Sequence, residues 1–337
     1  MKTKLLFAIT GFLFLMSSCS SSWFIEPDPI DNNLNNFDLL WKSVDEKYSY
    51  FTYKNIDWDA ARRKYRPLAE RATTKQELFT VMATMLNELK DGHVNLTSDF
   101  DISRNWNWYQ DYPVNFNWDV IERTYLGKDF QIAGSFITDT IQNVGYIYYG
   151  SFISPIESEK IDLLIKKLNS LPIKGLIIDI RNNGGGALAY ADEFLQHLLK
   201  QSTLIGYTRY KAGPSHDNFT DYIENKLDPK GETYLRPIVL LVNRKVYSAA
   251  NYFASALSQL PNVILIGDQT GGGGGAPISS ELQAGWSVRF SATQMFNASK
   301  QHLEAGVQPK IKVDITQSAI ANGKDTILEE AIRYLNK

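Results

Sequence analysis

Apolar residues recur three and four positions apart at Phe37, Leu40, Trp41 and Val44, a spacing that predicts a helix with one buried face. An aromatic turn follows over 48–53, and Trp58, Ala61 and Tyr65 carry the same period onto a second helix. Thr74 followed by Glu77 has the spacing of a capping box and opens a third helix over 75–90. Gly92 ends it, and a strand starts after His93. Over 98–144 the helical period disappears. Aromatic and β-branched residues between turn signals predict short strands at 112–117, 120–124 and 130–132.

From Gly145 the pattern changes again. Residues 175–180 and 237–242 are continuous apolar runs, as expected of central strands buried on both faces. A third apolar run covers 263–266. Between the runs lie helical periods: 157–171, where Ile161, Leu164, Ile165 and Leu168 share a face, 189–201 and 249–260. Strand, Gly- or Ser-bearing turn and helix repeat in that order. The expected fold class is therefore α/β with a mostly parallel sheet covered on both faces, preceded by a small N-terminal helical domain. Residues 211–234 are long, polar and without pattern, and read as a candidate flap.

The first residues read as a targeting segment. Lys2 and Lys4 precede an apolar stretch, Leu5 to Met16, that is too short to span a bilayer. Small residues Ser17 and Ser18 then precede Cys19, as in a bacterial lipobox, with an ordinary secretory signal as the alternative. Lipidation of Cys19 would anchor the chain to a membrane outside the cytoplasm. The expected division is signal peptide 1–18, flexible tether 19–36, helical domain 37–97, β-rich connecting segment 98–144 and α/β core 145–337. Cys19 is the single cysteine, so a mature chain lipidated there has no disulfide, no cysteine nucleophile and no Cys-based zinc site. A net charge of −2 leaves no basic footprint for nucleic acid. No cluster of His and carboxylates has metal-ligand spacing, so no metal or organic cofactor is expected. Oligomeric state is not readable from the sequence.

In sheets of this kind ligands bind beyond the carboxyl ends of the strands, and three features fall there or close by. Gly184-Gly185-Gly186 after the first buried run can turn backbone N–H groups outward toward a developing oxyanion, or simply make a tight connection. Ser248, between the second run and its helix, is placed as a nucleophile or as a plain N-cap. His93 is a candidate base, with His302 and His216 as rivals and His197, inside a helix, the weakest of the four histidines. A structural role for His93 stays open on these grounds. The glycine run 271–275 lacks the Lys-Ser/Thr of a phosphate loop. The aromatic residues Trp106, Trp108, Tyr109, Tyr112, Phe116 and Trp118 could line an apolar pocket or pack a strand.

Six stretches in this order resemble the C-terminal processing peptidase family, which includes tail-specific proteases, the tricorn protease core and interphotoreceptor retinoid-binding protein. They are LKDGHVNL (89–96), GYIYYGSF (145–152), GLIIDIRNNGGG (175–186), VYSAANYFASAL (246–257), IGDQTGGG (266–273) and EAGVQPKIKV (304–313). The resemblance implies a ClpP/crotonase-like core and a peptidase acting on peptides or proteins. It implies Ser248 as nucleophile, with an oxyanion hole from the N–H of Gly185 or Gly186 and that of Ala249. Tail-specific proteases carry a catalytic lysine where this chain has Gly273. The tricorn-like branch has a Gly-His turn instead, matched here by Gly92-His93, so His93 is the implied base. Glu304, before Gly306-Val307-Gln308-Pro309, is the implied third member, although Lys310 stands where an acid is usual. No PDZ domain is expected, because 98–144 is shorter than a domain. Relatives that bind retinoids leave a non-catalytic binding protein as the alternative function.

Overall fold

The computed structural model describes residues 31–105, 107–155 and 157–337. Cys19, the signal segment 1–18 and most of the expected tether lie outside the described residues, as does Trp106. The tether ends earlier than expected. Asn32 accepts a hydrogen bond from the Asn35 N–H and starts α1 (Asn33–Lys47), which buries Phe37, Leu40 and Val44. The aromatic turn contains α2 (Phe51–Lys54), ended by Asn55 in the left-handed region. Then come α3 (Trp58–Arg71) and α4 (Lys75–Asn87). Thr74 caps α4 as expected, but the Glu77 carboxylate turns back onto the Thr73 N–H, one residue beyond the reciprocal partner of a capping box.

These helices do not form a core alone. Phe79, Met82 and Trp58 share their cluster with Leu282, Trp286, Val288 and Phe290. The latter come from β11 (Ser287–Ser291) and the turn joining it to β10 (Pro277–Glu281), and these two strands with β1 (Asn95–Thr97) make an antiparallel sheet ordered β1-β11-β10. The pairing of β1 with β11 ties residues 95–97 to 287–289, and this brings the segment around His93 to the far half of the chain.

The connecting segment departs from expectation. Residues 112–117 form no strand, and 120–124 are helical. After α5 (Asn107–Gln110), the Asn117 side chain caps α6 (Trp118–Val120), which runs into a π-helical turn at Ile121–Tyr125. Ile121 is fully buried under the main sheet, so tertiary packing overrides β propensity there.

The main sheet has seven strands. β2 (Gln131–Ala133) and β3 (Phe136–Ile141) are antiparallel additions at one edge. β4 (Val144–Tyr149), β5 (Leu176–Asp179), β8 (Ile238–Val242), β9 (Val263–Gly267) and β13 (Ile311–Lys312) run parallel to one another. Alternate residues face opposite layers. Ile178, Leu240 and Val242 pack with α7 (Ser158–Ser170), α8 (Leu188–Gln196) and α9 (Ala249–Ser258). Ile177, Val239, Leu241 and Ile266 pack under α11 (Thr326–Leu335), which follows the short α10 (Gln317–Ala321). The expected flap is not patternless either. It contains β7 (Ile223–Leu227), which joins a second antiparallel sheet with β6 (Thr203–Tyr210) in the centre and β12 (Thr293–Asn297) beyond it.

Candidate active site

The turn from β8 into α9 places Ser248. Its backbone sits at φ 56°, ψ −124°, a conformation that side-chain-bearing residues rarely adopt and that costs about 1–3 kcal/mol. Neighbouring backbone holds it there: the Ser248 N–H donates to Gly272 O at 2.9 Å, and the Tyr247 N–H to Asn183 O at 3.1 Å. Ser248 occupies the N-cap position of α9, yet its side chain makes no capping hydrogen bond. Its Oγ lies 2.9 Å from His93 Nε2 instead.

His93 is buried between α4 and β1. Its N–H donates to Asp91 Oδ1 at 2.8 Å. Its Nδ1 lies 3.4 Å from Ser291 Oγ, and Ser291 in turn donates to Asp91 Oδ2 at 3.1 Å. With the proton on Nδ1 pointing toward Ser291, Nε2 is left as the acceptor facing Ser248. Burial pushes the His93 pKa down to about 4, with the positive charges of Arg289 and Lys54 adding to the fall and the Asp91 carboxylate opposing it. The imidazole is therefore neutral at ordinary pH. The other histidines lie elsewhere: His216 meets Asp45 at 2.8 Å, His302 packs on Phe296 and Tyr53, and His197 meets Glu232 O.

Asp91, which sequence reasoning passed over, is the carboxylate nearest the His93 ring, 3.9 Å from Nδ1. It also accepts from Tyr48 and Tyr247 hydroxyls at 3.0 and 3.3 Å. Burial opposes its charge, but Lys54, His93 and these hydrogen bonds hold its pKa below the usual carboxylate range. Glu304, the third member implied by resemblance, is placed differently. Its Oε1 pairs with Lys54 Nζ at 2.7 Å and its Oε2 accepts the Gly274 N–H at 2.8 Å. Lys54 stands between the two carboxylates, 3.7 Å from Asp91. Burial and the Asp91 charge push the Glu304 pKa up, against the pull of Lys54. Glu304 thus braces the glycine run beside the nucleophile turn, and Asp91 takes the position behind the imidazole.

The oxyanion candidates divide. The Gly185 N–H is engaged by Asn183 Oδ1 at 2.9 Å and so is not free to receive an oxyanion. Gly185 instead permits a close approach. With φ +95°, a Cβ there would lie 2.8 Å from Ser248 Cβ and 2.7 Å from Tyr247 O, so only glycine lets the two turns touch. Gly186 bridges Phe152, which bonds to the flanking Gly185 O and Ala187 N–H, leaving the Gly186 N–H directed the other way. Gly186 and Ser248 line one cavity. Ala249 supplies the first N–H of α9, at the positive end of its dipole. Upstream, Arg181 of the same motif is fully buried, 2.6 Å from Asp179 and 2.8 Å from Asp325, which fixes the strand end from which the glycines turn. At Gly273 a Cβ would fall 2.4 Å from the Tyr247 ring, so a lysine cannot occupy that position.

The cavity above Ser248 measures about 320 Å³ and includes Gly92, Trp108, Arg104 and Arg289. The described residues of the aromatic segment go to different places. Trp108 stacks on Tyr247 at 4.2 Å, while Phe116 and Trp118 pack on Tyr148. Among the described residues no group of three or more His, Cys, Asp or Glu is placed to hold a metal ion.

A family model described as "Peptidase family S41" matches residues 143–313, half of the chain. The chain belongs to peptidase family S41. A second model, "Tricorn protease C1 domain", matches residues 31–87. This S41 chain is 42% identical to a putative peptidase from Parabacteroides merdae, with a TM-score of 0.87, covering 91% of this chain and 98% of that one. It is 29% identical to the carboxy-terminal processing protease CtpA of Bacillus subtilis over 178 residues, 52% of this chain. The match spans only 36% of that relative's length. Mature CPAF complexed with lactacystin shares the fold at a TM-score of 0.69 and 12% identity, over 90% of this chain and 97% of that one.

Proposed function

We propose that this S41 chain is a serine peptidase in which Ser248 attacks the scissile carbonyl and His93 is the general base. One observation carries the reading: Ser248 Oγ lies 2.9 Å from His93 Nε2, on a serine held at φ 56° instead of capping its helix. In the first step the Oγ proton moves to Nε2 as the Oγ–carbon bond forms. The oxyanion is received by the N–H groups of Ala249 and Gly186, each worth on the order of 100-fold or more in rate. The imidazolium is stabilised by Asp91, directly and through the Ser291 hydroxyl. It then gives its proton to the leaving amine as the C–N bond breaks. Water hydrolyses the acyl-enzyme by the same route in reverse.

Asp91 is assigned the third role in place of Glu304, because Asp91 faces the Nδ1 side of the ring and Glu304 faces Lys54 and Gly274. The family relationship supports a peptide or protein substrate. Export and anchoring through Cys19 remain part of the proposal on the strength of the basic, apolar and small-residue order of 1–19. Cleavage of unfolded β-casein, followed by mass spectrometry, tests the activity: wild-type protein yields fragments and Ser248→Ala does not. In cells, Cys19→Ala should move the protein from the membrane to the soluble fraction; unchanged membrane retention contradicts the anchor.

A further inference from the structure

The cavity that holds Ser248 is basic although the chain is not. The whole sequence has 35 Lys and Arg against 37 Asp and Glu. Yet Arg104 and Arg289 line the cavity with Ser248, and no carboxylate does. Arg104 also belongs to an adjoining cavity of about 530 Å³ whose other charged residues are Lys90 and Arg244, again without a carboxylate. The fold aims Arg289 at the site. In β11 its neighbours Val288 and Phe290 are buried in the helical core, so strand alternation turns Arg289 to the opposite side, across from Asn95 in β1.

Several guanidinium groups elsewhere meet carboxylates, Arg62 and Arg66 on Asp38, Arg181 between Asp179 and Asp325 and Arg333 on Glu330, while Arg209 and Arg236 donate to backbone oxygens. Arg289 has no such carboxylate among the described residues. Arg244 differs, because its guanidinium donates to the backbone oxygens of Trp108 and Thr270 and lies over the Tyr112 ring. It adds charge, and two of its nitrogens are engaged. Arg289 is therefore the cation beside the nucleophile that lacks a carboxylate partner among the described residues. Burial and the like charge of Arg104 depress its pKa against the opposing pull of Tyr247 and Asp91, and an anion seated between the two arginines would relieve the repulsion.

We propose that Arg289, with Arg104 beside it, forms a subsite that binds a carboxylate of the peptide within a residue or two of the scissile bond. The planar fork of a guanidinium suits a carboxylate, and the mouth of a cleft strengthens the pairing relative to open solvent. The proposal rests on the peptidase reading for the identity of the ligand as substrate. It makes this chain selective for peptides with a Glu or Asp side chain beside the cleaved bond, as distinct from a free C-terminus.

Binding separates the sources without turnover. Fluorescence anisotropy on full-length Ser248→Ala protein would use labelled alanine-based hexapeptides with Glu, Gln or Lys at the centre, each with a free or an amidated C-terminus. The expected result is about five- to tenfold tighter binding of Glu over Gln peptides, weakened by salt, abolished by Arg289→Gln and kept by Arg289→Lys. A preference for free over amidated ends without one for Glu over Gln overturns the side-chain subsite. Equal binding of all six peptides, or no saturable binding, overturns the proposal. So does a preference that survives both Arg289→Gln and Arg104→Gln. Fluorophosphonate labelling of wild-type protein keeps the two readings apart: labelling without a charge preference sinks the subsite alone, and a charge preference without labelling sinks the hydrolase reading alone.

Discussion

Tyr247, the residue before Ser248, donates its hydroxyl to Asp91, two residues before His93, at 3.3 Å. The bond joins positions 156 apart in sequence and locks the β8–α9 turn to the α4–β1 turn. The same ring stacks on Trp108 and leans on His93 at 4.8 Å, so it is also the wall against which the imidazole rests. Tyr247→Phe keeps the wall and removes the bond. The fluorophosphonate labelling rate should fall about three- to tenfold, with a loss of roughly 1 kcal/mol in stability. An unchanged rate would show that the bond does not position the site.

Asp91 and Glu304 are separated by their amide variants. Asp91→Asn removes the charge that stabilises the imidazolium and should lower the labelling rate by about 100-fold or more. Glu304→Gln keeps an acceptor for the Gly274 N–H and loses only the Lys54 pair, so the loss should be about tenfold or less. The reverse order would restore Glu304 as the third member.

The pH dependence follows from burial of His93. Its folded pKa of about 4 lies below the ordinary 6.5, so as pH falls below 6.5 the unfolded chain takes up a proton that the native state refuses. The stability from a neutral, buried His93 is thus present above pH 6.5 and lost as pH falls to about 4, on the order of 3 kcal/mol in all. The labelling rate of native protein should keep its plateau below pH 6 and fall with a midpoint near 4. A midpoint near 6.5 would mean that the base is not this buried imidazole.

Ser248 carries backbone strain, and glycine relieves it. Ser248→Gly should be more stable than Ser248→Ala by about 1 kcal/mol, the relieved strain exceeding the added chain entropy of glycine. Thermal melting compares the two variants directly. A higher melting temperature for Ser248→Ala would show that the turn is unstrained.

Much of this was legible in local pattern. The apolar runs at 175–180, 237–242 and 263–266 became β5, β8 and β9 because strands buried on both faces need no alternation. Residues 120–124 misled because Val120 and Ile121 are buried from a helical turn whose next three residues are exposed, which only the tertiary structure dictates. The turns around Ser248 and His93 marked them only as candidates, because a plain N-cap and a structural histidine have the same local pattern. Asp91 was within reach, in the same short stretch as His93, but its role depends on Ser291, 198 residues from His93 and without any local signal. Gly185 resembled an oxyanion donor because sequence does not reveal which N–H the Asn183 side chain takes.

Intact-mass measurement after exposure to a fluorophosphonate probe tests the central claim most directly. Wild-type protein should gain one probe mass, mapped to Ser248, while Ser248→Ala gains none and His93→Ala labels at least about 100-fold more slowly. Folded wild-type protein that stays unlabelled, or a label that maps to another residue, would contradict it.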